Sequence, residues 1–386
     1  MSITSTNLTS IGYIEEVTPG ETPVTPAFQL LPTTGGAPMG ETETAVSEVI
    51  RSDRMVDDLV LVDENINGDI DLELSYEAYQ PMITSLLRTE AIIVAVSESD
   101  IDASDLDNSY NTVAGDFLLD GVIPGIYIKV AGFTSAENNG PHRVVTVTSV
   151  KIVVAEVLVT EVLGAPITMD STTVLNGESN VDSYSFLKRV EGLAATTYFY
   201  YRGLQINTFD INVEVGSILT ATMGLVGLNE EITEVEIVGS TYVDTPDYKI
   251  MNAVSSVSKI SAGSLVSANY ESLTIAMTNN IEGAKAIGTL GAIDLAAFTF
   301  ETTGDISLYF EDYTIYETYK TAQSFELDLV FQDSDGHMIG IHMPKCKFET
   351  LESPIDGKDS FFMASGTYRG LRDADLDKVV SFSFMD

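Results

Sequence analysis

The chain partly repeats itself, and this restricts its possible folds more than any other feature. Gly68-Asp69-Ile70-Asp71-Leu72 returns as Gly304-Asp305-Ile306-Ser307-Leu308, an offset of 304 − 68 = 236. Ala221-Thr222-Met223-Gly224-Leu225-Val226-Gly227-Leu228 returns more loosely as Ala364-Ser365-Gly366-Thr367-Tyr368-Arg369-Gly370-Leu371, an offset of 364 − 221 = 143. A duplicated unit whose first copy holds 236 − 143 = 93 additional residues accounts for both offsets. A foreign-looking stretch of that order runs from near Ile92 to near Ser185. The expected division is 1–91 plus 186–237 for the first unit, 92–185 for an insertion, 238–263 for a linker and 264–386 for the second unit. The 386 residues also exceed what one core supports, since single cores stop growing near ~250–300 residues.

The units are written in strand language. Apolar and polar residues alternate in Asp69-Ile70-Asp71-Leu72-Glu73-Leu74, in Phe209-Asp210-Ile211-Asn212-Val213-Glu214-Val215 and in Phe325-Glu326-Leu327-Asp328-Leu329. A period of two puts the apolar side chains on one face and the mostly acidic ones on the other. Sheets with one packed and one wet face are typically antiparallel. Asn67-Gly68, Asp335-Gly336 and Asp356-Gly357 supply turns. Two short helices are expected, Ala78–Arg88 and Ile315–Gln323, each near a Tyr-x-x-Tyr pair, Tyr76/Tyr79 and Tyr313/Tyr316. Within the insertion, Gly115-Asp116-Phe117, Gly125–Val130 and Val144–Val147 read as short strands, and Asn138-Asn139-Gly140 as a tight turn. A small β-barrel or sandwich is the expected outcome. Five early prolines, Pro19, Pro23, Pro26, Pro32 and Pro38, predict an extended arm. The linker, polar and rich in Ser and Asn, is expected to run over the surface.

Composition narrows function. Asp plus Glu total 58 against 19 Lys plus Arg, a formal charge of −39. Such a chain repels phosphate, and beyond Lys188-Arg189 and Lys345 to Lys347 it offers no basic patch and no basic–aromatic stacking platform. No long apolar run predicts a membrane span, and Met1 to Ser10 is not the start of a secretory signal. Catalytic patterns are missing: no nucleophile elbow, P-loop or dinucleotide fingerprint occurs. Cys346, the single cysteine, lies between Lys345 and Lys347 and reads as an idle thiol. His337 and His342 are five apart, hence on opposite faces of a regular strand, and an ordinary packed or solvated role is expected for both. Asp333-Ser334-Asp335-Gly336 lacks the terminal Glu of a calcium loop and reads as a hairpin turn. Neither an enzyme nor a cofactor is expected.

The order and spacing of these elements resemble a known family. Arg51-Ser52-Asp53-Arg54, Gly68-Asp69-Ile70, Glu73-Leu74-Ser75-Tyr76 and Tyr79 resemble the first repeat of major tail tube proteins of phages with long non-contractile tails. Tyr198 to Gly203 and Asn207-Thr208-Phe209 continue the likeness, and Gly304-Asp305-Ile306, Tyr309-Phe310, Met343-Pro344 and Phe348 resemble the second repeat. Gly132-Phe133 and Asn138-Asn139-Gly140 look like the β-domain inserted in such proteins. The resemblance implies a mainly β chain of two tandem tail tube β-sandwich domains, each with a short flanking helix, plus a small inserted β-barrel or sandwich.

It also implies a function. Such domains join by strands around a channel, usually six per ring, and the rings stack into a tube that passes double-stranded DNA without gripping it. Two domains per chain then imply a trimeric, pseudo-sixfold ring, with a hexameric ring of chains as the alternative. Implied partners are further copies of the chain, a tape measure protein, a tail terminator and a distal tail protein, in a virion tail assembled in the host cytoplasm. No membrane binding is implied. The wet strand faces would line the lumen through Asp69, Asp71, Glu73, Asp210, Glu214, Glu326 and Asp328. Loops Thr34 to Asp58 and Asn279 to Asp294 would reach the adjacent ring, with Glu41, Arg51, Asp53, Arg54, Asn280, Lys285 and Asp294 as contact candidates. The insertion would project outward, for host contact, decoration or ring stabilisation. Rivals are a baseplate hub or fibre-like adhesin, a secretion-system tube protein, or a secreted carbohydrate-active enzyme. A fibre predicts shorter and more numerous repeats.

Overall fold

Seven antiparallel strands form the spine of the molecule. Their order is Leu59–Glu73, Thr220–Gly227, Thr197–Glu214, Tyr270–Thr278, Glu301–Tyr309, Met363–Gly370 and Met338–Glu352. This is a computed structural model, and it describes residues 3–162, 166–177, 181–246, 249–263, 269–311, 313–353, 355 and 357–386. The protein is mainly β, with two α-helices among the described residues. The alternation expected at 69–74 is present: Ile70, Leu72 and Leu74 are buried in the main core, while Asp69 and Asp71 are exposed. Full burial of such a side chain contributes roughly 1.5–3 kcal/mol, which fixes the face and with it the register.

The ladders occur twice, irregularities included. Tyr184 pairs with Leu204 and, after a bulge, Phe186 with Tyr201. Phe325 pairs with Cys346 and, after a bulge, Leu327 with Met343. Ile206 faces Leu225 and, past a second bulge, Thr208 faces Gly224. Phe348 faces Tyr368 and, past a bulge, Thr350 faces Thr367. Each bulge lets one extra residue turn the long strand from one layer into the next. The outer layer holds Thr9–Glu15 and Asn229–Thr233 in one half, and Val257–Ser261 and Ser381–Met385 in the other.

A helix closes each half. Helix α1 spans Gln80–Leu87, with Pro81 in its first turn and Met82, Ile83, Leu86 and Leu87 buried. It starts later than Ala78 because Glu77 adopts φ 53°, and it stops at left-handed Arg88. Helix α2 spans Thr314–Lys320 and ends before Gln323, since Ala322 is left-handed at φ 52°. Only a short turn separates α2 from Phe325–Gln332, whereas α1 is followed by the long excursion 88–183. That excursion has its own core, including Val94, Val96, Tyr110, Ile128, Val144, Ile152 and Met169.

Several local expectations need correction. Gly115-Asp116-Phe117 is a turn and not a strand, because Asp116 Oδ1 accepts the amides of Leu118 (3.1 Å) and Leu119 (3.4 Å). The stretch 238–263 is more than a surface linker. It contributes Thr241–Val243, parallel to Ala27–Leu30, and Val257–Ser261, antiparallel to Phe325–Gln332, and it buries Met251 and Ala262. The proline-rich N-terminus is woven into the outer layer through Thr9–Glu15 and Ala27–Leu30. Buried Glu16 holds it there, accepting from Ser183 Oγ (2.7 Å), Ser185 Oγ (2.6 Å), Gly20 N (2.7 Å) and Gly203 N (3.0 Å). Asp356, one half of an expected turn, lies outside the described residues.

Candidate assembly surfaces

The solvent face of the seven-stranded sheet is assembled from side chains far apart in sequence. One row across it reads Asp71, Thr222, Asp210, Ala276, Thr303, Arg369, Lys347. A second reads Glu214, Ser272, Ser307, Ser365, Glu352. Asp69, Asp71, Asp210 and Glu214 are exposed here and Glu73 is half-buried. Asp71 Oδ1 accepts from Thr222 Oγ1 at 3.1 Å. Partial enclosure by flanking strands, followed by the Asp69 charge, raises the Asp210 carboxyl above its ordinary value. Arg369 is held by Glu301 (3.0 Å) and Glu349, so the second half of the face carries compensated charge.

Glu326 and Asp328 are not on this face. They lie on Phe325–Gln332, which pairs with Val257–Ser261 and Met338–Glu352. Asp328 is only 4% exposed, so the expected wet acidic face of this strand does not form. Arg143, from the excursion 88–183, donates to Glu326 (2.7 Å) and sits 3.4 Å from Asp328, while His342 Nδ1 lies 2.8 Å from Asp328 Oδ1. Burial alone would raise Asp328, but the His342 hydrogen bond, with the charges of His342, Arg143 and Lys259, outweighs it and holds the carboxyl below its ordinary value. Glu326, Asp328 and His342 together have the donor set of a metal site. The Arg143 guanidinium already supplies the positive charge, so no metal is assigned. Sequence reasoning missed Arg143. Its signal was a cation inside an apolar strand pattern, His142-Arg143-Val144, in a chain with few cations.

The other residues considered for chemistry are structural. Cys346 is buried, and burial followed by the Asp328 charge pushes its thiol up, the reverse of activation. Asp333 Oδ1 accepts the amides of Asp335 (2.9 Å) and His337 (3.0 Å), which is the hairpin turn expected at 333–336. His337 stacks on Tyr76, ring centroids 4.7 Å apart. The basic pair noted in the sequence packs on the chain's own aromatics: Lys188 lies over Phe199 at 4.2 Å and Arg189 over Tyr242 at 4.7 Å. Arg189 also pairs with Glu191, leaving less charge for an outside anion.

The two expected inter-ring loops are hairpins. Met39–Val46 pairs with the start of Leu59–Glu73, so much of 34–58 is a β-arm with a tip at 47–58. Val49, Ile50, Met55 and Val56 are exposed on it, Ile50 at 99%. Arg51 bonds Asp53 (3.0 Å) and Asp57 (2.5 Å) at the tip, Arg54 is left-handed at φ 59°, and Glu41 is exposed on the arm. The second hairpin pairs Glu282–Lys285 with Ala292–Ala296. Asn280 is left-handed at φ 49° and donates to Thr299 O at 2.8 Å, and Asp294 caps the Leu295 amide at 2.9 Å. Lys285 reaches back to Asp63, and to Asn65 at 2.8 Å, so this hairpin leans on the first arm.

The molecule therefore offers two exposed hairpins and one polar sheet face with a strand edge at each end of it. Among the described residues, Lys347–Glu352 has a ladder partner on one side only, as do Gly35–Gly36 and Met39–Val46. A search of curated proteins finds no match. A family model described as phage tail tube protein matches residues 6–384, and the chain belongs to that family of structural tail proteins.

Proposed function

We propose that three copies of this chain close into a pseudo-sixfold ring, and that stacked rings form a tube with the polar sheet face as its lumen. The observation that carries this reading is the joint between the halves. Thr197–Glu214 of the first half pairs with Tyr270–Thr278 of the second, from Thr208 opposite Thr278 to Glu214 opposite Ser272. The duplicated ladders make Met338–Glu352 the counterpart of Thr197–Glu214. They make Gly35–Gly36 with Met39–Val46 the counterpart of Tyr270–Thr278. Repeating the internal joint between chains sets Thr350 opposite Glu41, Leu351 opposite Gly40 and Glu352 opposite Met39 of the next copy. Closure then also removes two exposed strand edges, which would otherwise invite uncontrolled pairing.

In this reading the chain comprises two tube units, 1–91 with 186–237 and 264–386, and an insertion at 92–185. The lumen residues are Asp69, Asp71, Glu73, Asp210 and Glu214, joined by Asp305 and Glu352, while Glu326 and Asp328 leave the set. Acids and hydroxyls suit a wall that must not adhere to a polyanion: attraction would hold the genome, and repulsion screened within ~8 Å at physiological salt keeps it centred. The exposed aliphatics of the first arm would meet the adjacent ring, with Glu41, Arg51, Asp53, Arg54, Asn280, Lys285 and Asp294 at that contact. A tape measure protein, a tail terminator and a distal tail protein are the expected partners, and tubes would form in the host cytoplasm.

Microscopy of purified tubes with native mass measurement of single rings tests the reading. Three chains per ring are expected, and six would overturn it. Thr350→Cys with Glu41→Cys should cross-link neighbouring chains on oxidation into a ladder that stops at the closed trimer.

A further inference from the structure

The inserted segment starts and ends in the first half of the chain yet docks on the second. Ile167–Leu175 continues the sheet of the C-terminal strand, with Thr172 opposite Phe384, Thr173 opposite Ser383, Val174 opposite Phe382 and Leu175 opposite Ser381. Around this ladder the polar groups are paired. Thr173 Oγ1 lies 2.8 Å from Ser383 Oγ, which also accepts the Tyr127 amide at 3.0 Å. Buried Lys378 donates to Pro124 O at 2.8 Å, and Ser381 Oγ to Gly125 O at 2.9 Å. Beside it lies the charged network, in which Arg143 bridges Glu326 and Asp328 and Lys259 bonds Glu156 at 2.7 Å. Tyr127 packs with Val330, Met338 and Met385, and it lies on the backbone of Gly340, where an added Cβ would come within 2.8 Å of its ring.

We infer that the inserted segment is a brace that fixes the angle between the two tube units, so that the ring closes at three chains. This rests on the three-chain ring proposed above. The only strand ladder joining the sheet units directly is the joint of Thr197–Glu214 with Tyr270–Thr278, among the described residues. Neighbouring strands in sheets differ in twist over roughly −10 to −35°, so one ladder leaves the angle loosely set. A head-to-tail ring closes only at one rotation, and other rotations give open arcs or filaments. The stretch 238–263 is a second tie, paired with Ala27–Leu30 and with Phe325–Gln332. The insertion, covalently rooted in the first half and hydrogen-bonded to the second, is a third that removes the remaining freedom. The halves differ as this role requires. Ser381–Met385 is covered on its outer side by the insertion, whereas its counterpart Asn229–Thr233 pairs only with Thr197–Glu214 among the described residues. The buried charges give the dock a unique register, because a slipped arrangement would strand Arg143 or Asp328 without a partner.

The test is a wedge. Gly340 has an ordinary strand conformation, so Gly340→Val adds bulk under Tyr127 without backbone strain. Expected is a chain with wild-type circular dichroism whose yield of closed three-chain rings, read by native mass spectrometry, falls about tenfold, with open arcs or other ring sizes in micrographs. Gly340→Val with Tyr127→Leu should restore closure, and so should an oxidised Thr173→Cys/Ser383→Cys staple on the wedge background. Should the wedge variant not fold, Arg143→Lys, which keeps the charge but not the bidentate reach, takes its place with the same readouts. Wild-type ring yield and size in the wedge variant would overturn the brace and leave the ring reading standing. A wild-type chain that forms no three-chain rings would overturn the ring reading itself.

Discussion

The two halves of the spine share their ladders and differ in what they show to solvent. In both, a long strand leaves its outer partner at one bulge and crosses to its inner partner at another. Yet the first half faces solvent with Asp69, Asp71, Asp210 and Glu214, while the second places Arg369 and Lys347 in the same row and clamps Arg369 between Glu301 and Glu349. Main-chain pairing and the buried face fix the architecture, so they cannot drift independently. An exposed side chain changes stability by only ~0.5 kcal/mol and is free to diverge. The halves also differ in their connection, a short turn after α2 against the 88–183 excursion after α1. Breaking the resemblance at chosen points separates what folds the chain from what assembles it.

The largest effect is expected where the excursion meets the second half. Arg143→Met leaves Glu326 and Asp328 without their cation, and removing one member of a buried charge group costs ~3–5 kcal/mol. Calorimetry should show that loss, and a change below 1 kcal/mol would mean the group is solvated. The same group sets an acid limit. The Asp328 carboxyl is held below its ordinary value in the folded chain, so its contribution is fully present above the unfolded value of ~3.9 and is lost as pH falls through the lower folded one. Melting temperature should fall with acid in the wild type, and less steeply in Asp328→Asn.

Next in size is a contrast between the joints. Asp210 sits mid-strand with ladders on both sides, so Asp210→Pro removes pairing in the centre of the sheet and costs ~3 kcal/mol or more. Glu349 is the bulged residue on an edge, where proline is tolerated. Glu349→Pro should melt within a few degrees of wild type, since only an exposed ion pair is lost, yet form no rings. Normal tubes from Glu349→Pro would remove this edge from the ring joint.

That contrast also explains what was legible in the sequence. Alternation at 69–74 and at 209–214 announced strands and the correct buried face, because both depend on local side-chain order, while Val215, the last apolar residue of the second run, lies past the strand end and is exposed. The same pattern at 325–329 misled: Asp328 is inside because His342, opposite it in the ladder, and Arg143, from a distant segment, both partner it, and pair complementarity leaves no periodic trace. Helix α1 was visible as a short element beside the Tyr76/Tyr79 pair, whereas its true start depends on the left-handed backbone at Glu77, a residue type that gives no warning of it. The strands Thr241–Val243 and Val257–Ser261 were hidden in a polar stretch because outer strands need little apolar surface of their own.

The smallest change in stability should accompany the largest change in conduction. Asp210 is the acid whose ionised form the fold already penalises, its value being raised by enclosure and by Asp69. Above that raised value the penalty is fully present, and it fades as pH falls towards the ordinary range, so Asp210→Asn should match or slightly exceed wild-type stability at neutral pH. Asp69→Lys with Asp71→Lys should likewise fold and stack, because both residues are exposed and contribute no core. In the proposed tube, however, each ring would then carry about six new cations facing the lumen, counting two per chain over three chains. Counterion release makes each phosphate contact salt-dependent, so the altered tubes should retain duplex DNA at low ionic strength and release it as salt rises, while wild-type tubes retain none. Equal release from both at every salt concentration would place this face outside the channel, and with it the acids that distinguish the first half from the second.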